Sequence, residues 1–357
     1  MSIDDLGGWP GVLSRLAAGA DLTSVEAAIA LGDVLEGNAT SAQVAAFVFG
    51  LRCKGETVEE MTGLVSAMLA ASERVVVPPD VASRLVDTCG TGGDRSGTIN
   101  ISTIAALVVA GAGVPVCKHG GRAASSKAGS ADLLEALGVV IDLGPEGVAR
   151  CIEEAGIGFC FAPRFHPAMR HATPVRRELG VPTAFNFLGP LANPARVRRQ
   201  VVGVGDPAMA QKMARVLAAA GAVEVVVVHG ADGLDELSTT GPSTMYRWRA
   251  DEGLDPDSEI KPEVINPVAL GLAPADLEDL LGDDPATNAA LARRVLAGED
   301  GAHRDIVLLN AAAGLMVAGI AGDLEQGLVK ARASIDSGAA ATRLDRLVEV
   351  STKLASG

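Results

Sequence analysis

The spacing of apolar side chains predicts a helical segment over residues 1–75. Three capping boxes follow one another there, each ahead of an apolar run with helical period: Thr23 with Glu26, Thr40 with Gln43, and Thr57 with Glu60. Helices this short must bury their apolar faces against a partner, so we expect them to pack together or on a neighbouring domain. The segment Val77-Pro78-Pro79 breaks the pattern and predicts a linker.

Beyond the linker, apolar strands alternate with Gly-rich turns and helices. The pattern predicts strands at 85–88, 114–117 and 223–228, and helices at 101–109, 131–137 and within 306–354. The third of these strands is apolar along most of its length, which indicates cover on both faces. We therefore expect a central, mainly parallel α/β sheet flanked by helices in residues 80–357, and a smaller all-helical N-terminal domain in residues 1–75.

Composition narrows the classes of partner. The 357 residues include 44 acidic and 30 basic side chains, a formal net charge of −14, so nucleic acid and anionic membranes are disfavoured and an anionic ligand needs a local basic site. The longest run without a polar side chain, 104–117, contains two Gly and a Pro and is too short to span a bilayer. Acidic residues near the N-terminus and five cysteines without a CxxC pair favour a reduced, cytoplasmic setting.

Two Gly-rich turns at strand ends predict an anion site. Gly90-Thr91-Gly92-Gly93-Asp94 follows the first strand, and Lys118-His119-Gly120-Gly121-Arg122 follows the second. Glycines let backbone N–H groups approach an anion closely, and Lys118 and Arg122 would neutralise it. Each turn alone is also typical of a structural turn or a solvated basic loop. Together, at neighbouring strand ends, they favour a ligand with two separated phosphate groups.

Two further clusters contain side chains that could bind a metal ion or a carboxylate. Asn100-Ile101-Ser102-Thr103 opens a helix, and Asp235-Glu236 follows the third strand; paired carboxylates suit Mg²⁺ but also occur in solvated loops. Arg176 belongs to a basic cluster in which an arginine could bind the carboxylate of an acidic acceptor. The other members of this cluster are Arg164, His166, Arg170, His171 and Arg177.

Taken in order, these motifs resemble the anthranilate phosphoribosyltransferase family, which has the nucleoside-phosphorylase-like fold. The resemblance covers nearly the whole chain. Beyond the turns and the helix start given above, it includes Ser125-Ser126, His166-Pro167, Val175-Arg176-Arg177-Glu178, Phe185-Asn186-Phe187-Leu188-Gly189-Pro190-Leu191, Asn193-Pro194 and Asp235-Glu236. Any one of these motifs is weak evidence, but their order along the chain is specific.

The resemblance implies transfer of the phosphoribosyl group of phosphoribosyl pyrophosphate to the amine of anthranilate, in tryptophan biosynthesis. It implies Mg²⁺ as the cofactor, held by Ser102, Asp235 and Glu236, and catalytic roles for Lys118, Asp94 and Arg176. The implied anthranilate contacts are Gly90, Gly121, His119, His166 and Arg176. The implied phosphoribosyl pyrophosphate contacts are Gly90, Gly93, Asp94, Thr98, Asn100, Ile101, Ser102, Thr103, Lys118, His119, Gly120, Gly121, Arg122, Ala123, Ala124, Ser125, Ser126 and Ser130.

The resemblance also implies an assembly. The family is usually a homodimer that pairs through its helical domain, and we expect part of 165–192 to pack on that domain. No nucleic acid and no membrane is expected as a partner.

One position departs from the family pattern. The basic loop normally reads Lys-His-Gly-Asn-Arg, and that Asn contacts the aromatic acceptor, whereas this chain has Gly121. A lost neutral hydrogen bond is worth about 0.5–1.5 kcal/mol, so a modified anthranilate is an alternative acceptor. A pyrimidine nucleoside phosphorylase of the same fold would leave Asp235 and Glu236 unexplained. A non-catalytic relative that binds nucleic acid is disfavoured by the net charge.

Overall fold

A computed structural model describes residues 1–123, 127–253 and 258–356. Its first four helices lie within the predicted helical segment: α1 (Gly8–Ala17), α2 (Ser24–Leu35), α3 (Ser41–Lys54) and α4 (Val58–Ala70). All three predicted capping boxes are confirmed. In each, the hydroxyl of Thr23, Thr40 or Thr57 accepts a hydrogen bond from the backbone N–H three residues on, and that residue's side chain accepts one from the threonine N–H.

The rest of the described chain alternates strands and helices. The strands are β1 (Val86–Gly90), β2 (Val116–Gly120), β3 (Ile157–Phe161), β4 (Arg199–Gly203), β5 (Glu224–Gly230), β6 (Ser243–Arg249) and β7 (Pro262–Ile265). The helices are α5 (Pro79–Ala82), α6 (Ile101–Gly111), α7 (Ser130–Ala136), α8 (Pro145–Ala155), α9 (Ala162–Phe165), α10 (Thr173–Leu179), α11 (Phe185–Leu191), α12 (Pro207–Ala219), α13 (Pro285–Leu296), α14 (Ala302–Val317), α15 (Leu324–Asp336) and α16 (Ala339–Ala355). None of these helices is both long and apolar enough to cross a membrane.

The strands form one seven-stranded sheet in the order β3-β2-β1-β4-β5-β6-β7. The pairs from β3 to β5 are parallel, and β6 and β7 add antiparallel strands at one side. The predicted mainly parallel sheet flanked by helices, with a helical N-terminal bundle, is therefore confirmed. Because parallel strands point the same way, the carboxyl ends of β1, β2, β4 and β5 meet on one side, which we call the carboxyl end of the sheet.

The strand expected over 223–228 is confirmed as β5, but it is the fifth strand along the chain, because β3 and β4 were not predicted. β3 is short and contains Gly158, which usually weakens a strand. The glycine has a packing reason here, since a Cβ on it would lie 2.8 Å from the backbone oxygen of Val148 in α8. The predicted turns after β1 and β2 are still neighbours, while β4 separates β1 from β5.

Two buried clusters lie on the two faces of the sheet. One combines apolar side chains of α1 to α4 with Val175 of α10, Phe185 of α11 and Val202 of β4. The other contains α6 and α14, and every residue of α14 from Ile306 to Val317 is buried. The sheet therefore lies between the buried helices α6 and α14 on one face and, on the other, the helical bundle with α10 and α11.

Candidate active site

The turn after β5 passes directly over two strand-end glycines. A Cβ on Gly203 would lie 1.5 Å from the backbone oxygen of Asp235, and one on Gly90 would lie 2.3 Å from its Oδ2. The N–H of Gly92 donates to the same Oδ2 at 2.6 Å. Glycine is therefore required at Gly203 by close approach of the Asp235 backbone and at Gly90 by close approach of the Asp235 carboxylate. The Asp235 carboxylate therefore lies in direct contact with the first Gly-rich turn.

Asp235 and Glu236 are buried acids that lie side by side. Glu236 Oε1 accepts a hydrogen bond from the N–H of Ser102, at the start of α6, at 3.1 Å. Burial, reinforced by the charge of Asp94, raises the pKa of Asp235 to about 7. Burial and the neighbouring Asp235 raise the pKa of Glu236 well above its usual range. The two carboxylates cannot both be charged at low cost without a nearby cation.

The three predicted metal ligands therefore meet at one place. Ser102, Asp235 and Glu236 supply hard oxygen atoms, and the acids lack sufficient positive charge around them, so their chemistry fits Mg²⁺. In the described part of the chain no group of three or more His, Cys, Asp or Glu side chains is arranged to hold a metal. A site built from these residues would be partial, and water and substrate phosphates would complete it, as is usual for Mg²⁺.

Lys118 lies below this site, away from solvent. Its Nζ donates to the backbone oxygen of Thr88 at 2.5 Å and to Ser102 Oγ at 3.3 Å. The side chain is 2% exposed, and its charge partly offsets the raised pKa of Glu236. Lys118 is therefore a fixed positive charge beneath the start of α6.

Asp87 was not among the predicted site residues. It is fully buried in β1; its Oδ1 accepts from the N–H of His119 at 3.3 Å and its Oδ2 from Asn193 Nδ2 at 2.8 Å. Burial raises the pKa of Asp87, and the charge of Lys118 offsets part of that rise. A lone acid inside an apolar strand was the sequence signal that could have found it. Asp87 fixes the end of β2 that carries Lys118 and His119.

The predicted phosphate contacts gather around α6 and the two turns. Asn100 Nδ2 donates to the backbone oxygen of Ala128 at 2.9 Å, and Thr103 Oγ1 donates to Ser130 Oγ at 3.0 Å. Asp94 accepts a hydrogen bond from Ser96 Oγ at 2.8 Å. The start of α6 is therefore hydrogen-bonded to the segment that enters α7, whereas the Asp94 bond lies within the segment after β1. Ile101 is buried at the start of α6.

Other predicted contacts lie further from this centre. Thr98 pairs with Leu281 in an isolated bridge. Arg122 is exposed and forms ion pairs with Asp132 and Glu135, so part of its charge is already used within the protein. Gly93 has φ +85°, a backbone conformation that favours glycine. Gly120 is the last residue of β2, and Ala123 follows the second turn. The predicted contacts Ala124, Ser125 and Ser126 lie outside the described residues.

The predicted acceptor side is organised by α11. His119 Nδ1 lies 3.0 Å from the backbone oxygen of Gly189, and the rings of His119 and His166 are 5.0 Å apart. Burial lowers the pKa of His119 to about 3 and that of His166 to about 4, so both rings are neutral near neutral pH. Neutral imidazoles can orient a ligand by hydrogen bonds without attracting its charge.

Arg176 brings an available positive charge to the same side. Its guanidinium lies over the ring of Phe185 at 5.5 Å, and burial lowers its pKa. No carboxylate pairs with Arg176 among the described residues, although the chain is acidic overall. Such a group suits an incoming carboxylate. Gly121 lies at the second turn without a positive φ, and a Cβ there would meet no described atom within 4 Å.

Two family models match the chain. The model described as the a/b domain of a glycosyl transferase family covers residues 82–341, and the model for the helical bundle domain of that family covers residues 10–72. Among curated proteins, the anthranilate phosphoribosyltransferase of Salinispora arenicola is 54% identical over 347 residues, which are 96% of each chain. That of Roseiflexus castenholzii is 52% identical over 341 residues, 95% of this chain and 97% of the relative.

Solved structures agree with the sequence matches. Anthranilate phosphoribosyltransferase from Thermus thermophilus superposes with a TM-score of 0.88 at 42% identity, covering 96% of this chain and 99% of that one. The enzyme from Saccharomyces cerevisiae in complex with phosphoribosyl pyrophosphate and Mg gives a TM-score of 0.85 at 28% identity, covering 97% and 98%. The yeast enzyme in complex with 4-fluoroanthranilate gives 0.84 at 28% identity, covering the same shares.

Proposed function

This chain belongs to the anthranilate phosphoribosyltransferases of the glycosyl transferase family, and on that premise we propose that it transfers a 5-phosphoribosyl group from phosphoribosyl pyrophosphate to the amine of anthranilate. The products are N-(5-phosphoribosyl)anthranilate and pyrophosphate, as in tryptophan biosynthesis. The observation that carries the proposal is the juxtaposition, at the carboxyl end of the sheet, of the first Gly-rich turn with the buried pair Asp235 and Glu236. In this arrangement the backbone of the turn lies beside carboxylate oxygens that could hold a metal ion, which supports the proposal.

The leaving group is assigned to this turn and to the start of α6. Ser102, Asp235 and Glu236 would hold Mg²⁺, which when bound stabilises negative charge on the departing pyrophosphate. Lys118, fixed 3.3 Å from Ser102 Oγ, adds a positive charge beneath the same place. Asp94, whose charge raises the pKa of Asp235, increases the demand for a cation there. These residues act by positioning and charge, and none of them has to transfer a proton.

The acceptor is assigned to the side of α11. Arg176 would bind the anthranilate carboxylate, and the neutral rings of His119 and His166 would orient the ring and the amine. An aryl amine is already neutral near neutral pH, so it can attack the sugar carbon without a strong general base. Holding the amine near that carbon converts the reaction into an effectively intramolecular step.

Assembly and location belong to the same proposal. We expect a homodimer that pairs through the helical domain of residues 1–75, with α10 and α11 packed on that domain, and a cytoplasmic location. The buried cluster that joins α1 to α4 with Val175 and Phe185 supports this division.

The experiment that tests the function is a mass-resolved assay. Purified protein is incubated with phosphoribosyl pyrophosphate and anthranilate, with Mg²⁺ or with EDTA, and the phosphoribosyl adduct and pyrophosphate are measured. We expect equal amounts of both products with Mg²⁺ and loss of product with EDTA. A pyrimidine nucleoside phosphorylase would make no adduct here; in a parallel assay with a pyrimidine nucleoside and free phosphate it would consume both and be unaffected by EDTA, and that result would refute the proposal.

A ring-substituted anthranilate is the second candidate acceptor. The open space at Gly121 favours it, because a substituent could occupy the volume that an asparagine would fill. A panel of aminobenzoates in the same assay distinguishes the two acceptors by kcat/KM.

A further inference from the structure

The turn that carries Asp235 and Glu236 is clamped by one side chain of a core helix. Asn310 of α14 is 2% exposed. Its Oδ1 accepts from the N–H of Leu237 at 2.9 Å, and its Nδ2 donates to the backbone oxygen of Leu237 at 2.8 Å. A single carboxamide therefore satisfies both backbone groups of the residue that follows Glu236, as a neighbouring strand would.

The clamp is anchored in a buried core helix. Asn310 lies in the middle of α14, and its Nδ2 also donates to the Ile306 carbonyl one turn earlier at 2.9 Å. The residues of α14 around it are all buried. An asparagine in a helix interior has below-average helix propensity, and burying an amide is costly unless it is fully hydrogen-bonded. A purely structural helix would therefore be served better by an apolar residue at position 310.

Besides the N–H groups of Gly92 and Ser102, which bond the two carboxylates, the turn is supported from within by Asp232. Asp232 Oδ1 accepts from the N–H of Leu234 at 3.1 Å, and its Oδ2 accepts from Ser238 Oγ at 2.5 Å and from Thr240 Oγ1. These bonds fix the shape of the turn. The bonds of Asn310 fix where Leu237, and with it Glu236, lies relative to α6 and Ser102.

We propose that Asn310 is a positioning residue, which places the Glu236 carboxylate for a divalent cation by holding the backbone of Leu237. The inference rests on the proposed function, since it deepens the assignment of the metal ligands. Residues that orient a metal ligand typically change metal affinity by about 10- to 100-fold when they are removed. We therefore expect loss of cation affinity beyond what a general loss of stability would cause.

Binding of Mn²⁺ tests this proposal without relying on turnover. Mn²⁺ is titrated into the full chain, alone and with phosphoribosyl pyrophosphate, and free Mn²⁺ is followed by its electron paramagnetic resonance signal. In Asn310→Leu, which keeps the branched shape of the side chain but is larger and cannot hydrogen-bond, we expect Mn²⁺ to bind about tenfold more weakly or worse. Asn310→Ser is the second variant, because it leaves room for water to pair with Leu237 and so tolerates folding better.

The matched control is Ser334→Ala. Ser334 is buried on α15 and donates to the backbone oxygen of Val108 at 2.7 Å, so its loss also removes a buried side-chain bond to the backbone, but away from the turn. We expect a lower melting temperature and unchanged Mn²⁺ affinity in this control.

The outcomes separate the inference from the function. If both Asn310 variants keep the native Mn²⁺ affinity and the native enzyme is active, the inference alone is overturned. The turn would then be held by Asp232 and by the buried side chain of Leu237. A native protein that neither binds Mn²⁺ nor makes the adduct would refute the proposed function, and the inference with it.

Discussion

Glu224 at the start of β5 and the pair Asp235–Glu236 beyond its end are all at most 9% exposed, but their partners differ. Glu224 lies within 4.0 Å of the guanidinium groups of three arginines, which come from β4 and β6. These arginines are Arg199, Arg247 and Arg249. The two acids at the other end accept hydrogen bonds from backbone N–H groups, Asp94 raises the pKa of Asp235, and Lys118 offsets part of the rise in the pKa of Glu236.

The difference separates a structural charge from a binding charge. Glu224 is compensated within the chain, so its ion pairs can contribute to folding. Asp235 and Glu236 have too little positive charge around them to balance their own. Arg176 has the opposite imbalance, because no carboxylate pairs with it among the described residues. A buried charge that the protein itself does not balance indicates a charged ligand.

The largest effect is expected from removing the unbalanced acids. In Asp235→Asn with Glu236→Gln, turnover should fall by roughly 10²-fold or more at saturating Mg²⁺, because the leaving pyrophosphate loses its counter-charge. Stability without metal should not fall, since two like charges that repel each other are removed. Steady-state kinetics and thermal melts with Mg²⁺ or EDTA measure both.

Glu224→Gln is the matched control for that variant, because it removes a buried acid at the opposite end of β5. Its turnover should be native. An unchanged rate in the double variant would show that the acids at the carboxyl end are structural as well, and the contrast between the two ends of β5 would be lost.

The next effect concerns the unpaired cation. In Arg176→Ala the KM for anthranilate should rise by roughly 10- to 100-fold, the worth of a charge-assisted hydrogen bond, while the KM for phosphoribosyl pyrophosphate changes little. Arg177→Ala, the exposed neighbour, is the control. Methyl anthranilate should be a poor substrate of the native enzyme. If the ester reacts as well as the acid, Arg176 does not bind the carboxylate.

At the amino end of β5 the effect should appear in stability. Glu224→Gln leaves three partly exposed arginines without their common partner, at an expected cost of about 1–3 kcal/mol, between the values for surface and buried pairs. The melting temperature should fall by several degrees, equally with Mg²⁺ and with EDTA. Glu252→Gln, which removes an exposed carboxylate paired with Arg249, should change it much less. A shift that depends on Mg²⁺ would contradict the structural assignment of Glu224.

The sequence predicted elements and motifs well where the signal is local. The three capping boxes depend on residues three positions apart, and the Gly-rich turns are contiguous. It missed Asn310 and did not separate Glu224 from Asp235, because those distinctions depend on partners far along the chain. Arg247 reaches Glu224 through antiparallel pairing of β5 with β6, and Asn310 reaches Leu237 across 73 positions. Spacing alone contains neither contact.

The smallest effect is expected from Gly121→Asn, which adds a side chain at the carboxyl end of the sheet. Gly121 has no positive φ, and a Cβ there meets no described atom within 4 Å, so the backbone and the described neighbours of position 121 accommodate the Cβ that Gly121→Asn adds. If the site takes plain anthranilate, the added amide should lower its KM by up to about tenfold, the worth of one neutral hydrogen bond.

If the natural acceptor is bulkier than anthranilate, Gly121→Asn should weaken its use instead of improving it. The asparagine would then fill volume that a ring substituent needs, and kcat/KM should fall for substituted anthranilates while that for anthranilate is kept or improved. Measuring both acceptor types in both proteins therefore distinguishes a missing contact from a pocket enlarged for its ligand. Gly19→Asn is a control with a positive φ far from the site, and it should leave all acceptor constants unchanged. If Gly121→Asn also leaves every acceptor constant unchanged, position 121 does not line the acceptor site, and the unbalanced charge of Arg176 remains the main determinant of acceptor binding.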